Sequence, residues 1–276
     1  MTDPRSKTVP AEWLTPIEGW RVAMVAASRS PQTIATRTDH LRRAARALNG
    51  NPWEVTTAQL VDWCGRQTWT AETRRSVRAS LRQFWAWGVD AGHVDVSPAV
   101  GLPTVVASAP RPRPAPDEVI DAAATEADPR VRFILTMAAR LGLRRAEISR
   151  IHAHDLVPDL VGWSLRVQGK GNRERVLPLT AELAVLIRSQ CAGGWALPGD
   201  DNGHLSPRWV GKLATRALPG DWTLHTLRHR FGTTVHNRTH DLRVVQELLG
   251  HASVATTQRY VAVENDALRQ AVAAAA

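Results

Sequence analysis

The 276-residue chain contains two cysteines, Cys64 and Cys191, and one tyrosine, Tyr260. Two cysteines far apart give neither a disulfide framework nor a cysteine zinc site. The first ten residues, Met1 to Pro10, are polar and lack the apolar run of a secretion signal. No unbroken apolar stretch reaches the roughly 20 residues that span a bilayer. These absences leave a soluble, cytoplasmic protein with no membrane partner as the expectation. There is no G-x-x-x-x-G-K-[ST] phosphate loop, since Gly211-Lys212 stands without its companions. His225 and His229 are spaced as in a zinc helix, but the glutamate of H-E-x-x-H is missing. No metal is therefore expected.

What is present is a foldable, basic chain. Hydrophobic residues make up 43% and charged residues 22%, enough to bury a core. Lys and Arg number 35 against 26 Asp and Glu, a formal net charge of +9. Such a surplus favours a polyanion, because each cation placed on a phosphate releases condensed counterions. Heavy use of Ala, Arg, Val and Trp with very little Lys suggests a GC-rich bacterial or phage genome.

The length suggests two domains, and the segment 102–116 separates them with Pro103, Pro110, Pro112, Pro114 and Pro116. Proline at that density stops helices and favours an extended linker. Before it, residues 1–101 read as four helices. Apolar spacing marks the first from Trp13 to Ser28. Ser30-Pro31 starts the second, which runs to about Leu48 before Asn49-Gly50. The third spans about Thr57 to Gly65, and the fourth begins near Thr70 and ends around Gly88 to Gly92. Their polar faces are rich in arginine, including Arg37, Arg43, Arg74 and Arg78. With Arg111 and Arg113 in the linker, these are the candidates for DNA backbone contact. Singly, an arginine of the helices is better read as part of a solvated helix face; the cluster as a whole favours DNA.

After the linker the expected elements are helices at 117–127, 129–141 and 145–151, then strands at 163–167 and 173–179. Gly169 and Gly171 suit the tight turn between the strands. Helices resume at 181–190, 207–217, 224–237, 242–249 and 254–263. The overall expectation is mainly α with a small antiparallel β-sheet in the second domain, 117–263, followed by an alanine-rich tail, 264–276.

Tyr260 gains meaning from its surroundings. On one helix, His225, Arg228 and His229 share a face, and an arginine beside a histidine can donate together to phosphate oxygens. Arg144 stands at another helix start, with Glu147 one turn on to fix that end or a neighbouring side chain. Lys170 sits at the tip of the strand pair. His229, His236 and His240 are read as structural or surface residues.

Four segments, GLRRAEI at 142–148, QGKGNRERVLPL at 168–179, HTLRHRFGT at 225–233 and VQELLGHASVATTQRYV at 245–261, together resemble the tyrosine recombinase (phage integrase) family in order and approximate spacing. The resemblance covers the second domain. The four-helix bundle resembles the family's SAM-like core-binding domain more loosely, through layout and the helix start at Ser30. A simple recombinase without an arm-binding domain is the expectation.

The resemblance implies Tyr260 as nucleophile, Arg144 and Arg228 as a clamp on the phosphate and His251 as a further donor. It also implies His225 in an acid–base role and Lys170 as the acid that protonates the leaving 5′ oxygen. The chemistry agrees: a phenol with an unperturbed pKa of about 10 needs help to ionise, and the transition state demands preorganised cations. The product would be a 3′-phosphotyrosyl enzyme, with neither ATP nor cofactor required. Glu147 is kept as structural support.

The bland alternatives make Arg144 a salt-bridge partner of Glu147, Lys170 a solvated turn lysine and His251 a helix cap. Six such coincidences in order are needed to sustain them all. The partner implied is double-stranded DNA carrying core-type sites, in the cytoplasm of a bacterial host. The protein would be a monomer in solution that assembles as four protomers on DNA, with a directionality factor as a further candidate partner. Integration of a phage genome, its excision, or both fit this reading. The rivals are a type IB topoisomerase-like enzyme, which uses the same residue types, and a DNA-binding regulator that has kept the fold without catalysis. The tail would dock on a neighbouring protomer or serve as a degradation signal.

Overall fold

The computed structural model describes residues 8–106, 113–169 and 174–250. Contacts divide the chain into two units, Met1–Ala109 and Pro110–Ala276.

The first unit contains α1 (Ala11–Ala26), α2 (Pro31–Leu48), α3 (Thr57–Gly65) and α4 (Ala71–Asp90). Local chemistry sets the starts. Ser30 Oγ accepts from the Thr33 amide ahead of Pro31, Thr56 and Gln59 form a capping box, and Thr70 accepts from the Thr73 amide. Tryptophan explains how so small a bundle fills its core. Phe84 is buried at the centre, stacked between Trp13 at 6.0 Å and Trp53 at 5.3 Å, with Trp20 and Trp85 edge-on. Such rings bury large apolar areas and favour these offset and edge geometries. Gly88 is held by the same cluster, since a Cβ there would stand 2.5 Å from the Trp53 ring.

The second unit contains α5 (Asp117–Glu126), α6 (Pro129–Leu141), α7 (Arg145–Ile148), β1 (Leu156–Pro158), β2 (Trp163–Gln168), β3 (Glu174–Leu179), α8 (Ala181–Gln190), β4 (Pro198–Asp201), α9 (Pro207–Ala217), α10 (Leu224–Thr239) and α11 (Leu242–Leu249). β1, β2 and β3 form an antiparallel sheet in that order, with Leu165 opposite Leu177 and Val167 opposite Arg175. The core gathers α6, the inward sheet face, α8, α9 and α10 around Phe133, Ile134, Leu135, Leu165, Leu177 and Leu227. Mainly helical with a small antiparallel sheet, the fold is the one the sequence predicts.

Two strands escape the sequence reading: β1 has three residues and β4 four, too short for any alternation to show. The third helix after the linker ends at Ile148 rather than Ile151. Beyond it the amides of Arg150 and Ile151 tighten onto carbonyls three residues back, and His152 enters a bridge with Trp195. The ends of the expected linker are anchored, Leu102 in the bundle core and Ala115 in the second core. The expected helix 254–263 and the tail lie outside the described residues.

Candidate active site

The site is built where three chain segments meet. α6 ends at Gly142, whose φ of +62° reverses the chain into Leu143, Arg144 and α7. A Cβ on Gly142 would meet Phe231 at 2.5 Å and Leu249 at 2.9 Å, so α10 and α11 pack directly against this turn. α10 supplies His225 and Arg228. α11 ends at Leu249, with Gly250 as a left-handed cap.

Glu147 is the electrostatic centre, with only 3% of its side chain exposed. Its Oε1 accepts from Arg144 Nη1 at 2.8 Å and Arg175 Nη1 at 2.9 Å; its Oε2 accepts from the Arg144 amide at 2.8 Å and Arg175 Nη2 at 2.9 Å. Arg228 Nη1 lies 3.9 Å away. Burial alone would raise the Glu147 pKa, but the hydrogen bonds and charge of Arg175 and the Arg144 amide outweigh it and hold the group at about 2. Glu147 is therefore a fixed anion among arginines.

Arg228 is almost wholly enclosed, with 2% of its side chain exposed. It donates through Nη1 to the Gly142 carbonyl and through Nη2 to the Leu249 carbonyl at 2.6 Å. Arg144 Nη1 also reaches the Leu249 carbonyl at 3.4 Å, and Arg175 Nε donates to the Leu248 carbonyl at 3.0 Å. Three guanidiniums thus grip the end of α11, the point from which the chain continues to His251. A cation at a helix C-terminus also complements the helix dipole.

His225 and His229 meet through their Nε2 atoms at 3.1 Å, rings edge to face. One nitrogen must carry the hydrogen and the other accept it. Burial and then the charges of Arg228 and Arg144 lower the His225 pKa. Burial, with His225 and Arg228, brings His229 down to about 4. Both shifts favour the neutral ring.

Arg144, His225 and Arg228 line one cavity of about 750 Å³ together with Arg145 and the three cations of α9, Arg208, Lys212 and Arg216. No carboxylate lines it among the described residues. Lys212 and Arg216 also lie over the Trp209 ring, at 5.2 and 5.6 Å. This concentration of cations suits a polyanion, and the sequence reading missed its α9 component. The signal was present, for Arg208, Lys212 and Arg216 are each four residues apart and so share a helix face. Arg175 was missed too, although period two on β3 puts it on the inward face with Leu177 and Leu179, where a charge requires a partner.

Three of the six expected catalytic residues, Arg144, His225 and Arg228, come together. Lys170, His251 and Tyr260 lie outside the described residues, as does Arg111. Of the expected DNA contacts, Arg43 pairs with Asp39 at 2.7 Å, and burial with the nearby Arg29 lowers the Arg37 pKa. Arg74 donates to the Cys64 and Gln67 carbonyls, and Arg78 to the Leu102 carbonyl at 3.0 Å. Both thus have an intramolecular use. Arg113 lies over the Trp222 ring at 4.5 Å. Among the described residues no group of three metal-ligating side chains gathers, and no helix is long and apolar enough to cross a membrane.

A family model described as the phage integrase family matches residues 116–266. The chain belongs to that family. Tyrosine recombinase XerC of Haemophilus ducreyi is 30% identical over 271 residues, which cover 87% of each chain. XerC of Xylella fastidiosa is 35% identical over 216 residues, 69% of this chain and 72% of that one. The class is therefore tyrosine recombinase, an enzyme of site-specific DNA recombination. Among solved structures, a lambda integrase fragment (75–356), a dimer bound to a COC′ core site, matches with a TM-score of 0.72 at 17% identity over 91% of this chain and 95% of that one. XerH bound to palindromic difH after cleavage matches with a TM-score of 0.71 at 18% identity over 90% and 81%. At those identities the likeness shows the fold.

Proposed function

We propose that this tyrosine recombinase cuts and rejoins duplex DNA at core-type sites through a 3′-phosphotyrosyl link to Tyr260, integrating or excising a phage genome. The observation that carries the reading is the cavity where Arg144, His225 and Arg228 converge with no carboxylate among the described lining residues. A phosphodiester seated there would meet guanidinium donors already fixed by Glu147 and backbone carbonyls. Preorganised charge of this kind favours the transition state because little reorganisation is left to the reaction itself.

In the proposed step the Tyr260 oxygen attacks phosphorus and its proton passes to His225. The bond to the 5′ oxygen breaks, and Lys170 protonates that oxygen as it leaves. His251 adds a donor to the phosphate. The ester keeps the bond energy, so attack by a partner strand's 5′ hydroxyl reverses the step without ATP. The basic residues of α9, with Arg37, Arg43, Arg74, Arg78, Arg111 and Arg113, are assigned to the DNA backbone. Four protomers on two sites are the working assembly. Lambda integrase has been captured as a tetramer on a Holliday junction, which supports that stoichiometry. A directionality factor would choose between integration and excision.

The test incubates wild-type and Tyr260→Phe protein, in EDTA, with plasmid carrying the DNA that flanks the gene. Protein-linked DNA after SDS denaturation with wild type alone is the expected result. No adduct from either protein despite specific binding would replace this reading with a DNA-binding regulator. Relaxed plasmid without recombinant junctions would replace it with a topoisomerase.

A further inference from the structure

Arg175 takes no part in the chemical step above, yet its guanidinium makes three directed contacts. Nη1 and Nη2 pair with the two oxygens of Glu147, each at 2.9 Å, and Nε donates to the Leu248 carbonyl at 3.0 Å. The planar fork of arginine is what allows a bidentate pair and a third bond at once, and lysine cannot reproduce it. The side chain is 11% exposed. The space it fills is guarded, since a Cβ on Gly250 would stand 3.0 Å from its Cδ and Nη1.

Its place on the sheet gives these bonds a purpose. Arg175 pairs with Val167 in the register, and only the Gln168–Glu174 pair lies between it and the hairpin tip that carries Lys170. The same Glu147 oxygens hold Arg144, one of the clamp arginines. Arg175 therefore ties the hairpin strand to the clamp through one buried carboxylate.

We propose that Arg175 is a positioning residue that holds the β2–β3 hairpin, and with it Lys170, in register with the arginine clamp and so governs proton delivery to the leaving oxygen. This rests on the role given above to Lys170. Misplacement by about 1 Å can cost on the order of 100-fold in rate. The cost should fall on the step that needs the lysine's proton.

A leaving group that needs no proton separates this role from general support of the fold. Single-turnover cleavage is measured on two substrates that differ only at the bridging 5′ atom, oxygen or sulfur. A thiolate, with a thiol pKa of about 8.5, departs without an acid, whereas an alkoxide does not. Arg175→Lys and Arg175→Met are compared with wild type and with Lys170→Ala. The ratio of the two rates for one preparation is independent of how much of it is folded, so a destabilised variant still reports. Both Arg175 variants are expected to lose about 10- to 100-fold on oxygen and to return to within a few-fold of wild type on sulfur, as Lys170→Ala does. Equal losses on both substrates, with Lys170→Ala still rescued by sulfur, overturn the role of Arg175 alone. A Lys170→Ala variant that sulfur does not rescue removes the role of Lys170 and, with it, this proposal.

Discussion

Arg228 donates through Nη2 to the carbonyl of Leu249 at 2.6 Å, across 21 residues of chain. The guanidinium assigned to the scissile phosphate thus also closes the end of α11. Arg228→Lys keeps a charge but cannot satisfy the Gly142 and Leu249 carbonyls together. Cleavage should fall at least 100-fold, and stability by about 2–4 kcal/mol, as when one partner of a buried charged network is removed. Urea denaturation beside the adduct assay checks both; unchanged stability would mean that the carbonyl bonds contribute nothing.

Glu147→Gln leaves Arg144, Arg175 and Arg228 without their shared anion. A loss of about 3 kcal/mol is expected at neutral pH. Because folding holds the Glu147 pKa at about 2, below its usual 4.5, its stabilisation is present above pH 4.5 and fades as pH falls through 2. Denaturation curves of wild type and variant should therefore converge in acid. Parallel curves down to pH 2 would contradict the assignment.

His229 acts in the same direction but at higher pH. Its folded pKa of about 4 lies below the usual 6.5, so the unfolded chain takes up its proton first as pH falls. Stability should be full above pH 6.5 and decline between 6.5 and 4, by about 1–2 kcal/mol from this group. His229→Gln should flatten that part of the profile, and an unaltered slope in urea titrations would sink the prediction.

Gly142→Ala must adopt a φ of +62° and place its Cβ 2.5 Å from Phe231. Strain and overpacking together should cost about 2–4 kcal/mol. The thermal midpoint measures it, and a shift of less than a degree would show that α10 can move aside.

Arg208→Ala, Lys212→Ala and Arg216→Ala should weaken DNA binding while leaving stability within about 0.5 kcal/mol. Each should reduce the slope of log affinity against log salt by about one. Filter binding across a salt series reads this directly, and an unchanged slope would remove that residue from the backbone contacts.

How much could be read in advance follows from the range of each interaction. Helix starts at Ser30, Thr56, Asp128 and Ser206 depend on a side chain and an amide two or three residues on, so they are written locally. α3, α6, α8, α9 and α11 have the bounds the sequence predicts for the same reason. Arg144, His225 and Arg228 could be named because their motifs are local, although 81 residues separate Arg144 from His225. The amino-acid order by itself thus determined most of the helices, the basic character and the residue types from which a phosphate site is proposed. Only the tertiary structure decided that Arg175 and Arg144 share one carboxylate, that α9 turns its cations into the same cavity, and that three guanidiniums close α11. A buried charge takes whichever partner the packing brings within about 3 Å, and that partner lies on another segment whose approach no local pattern encodes.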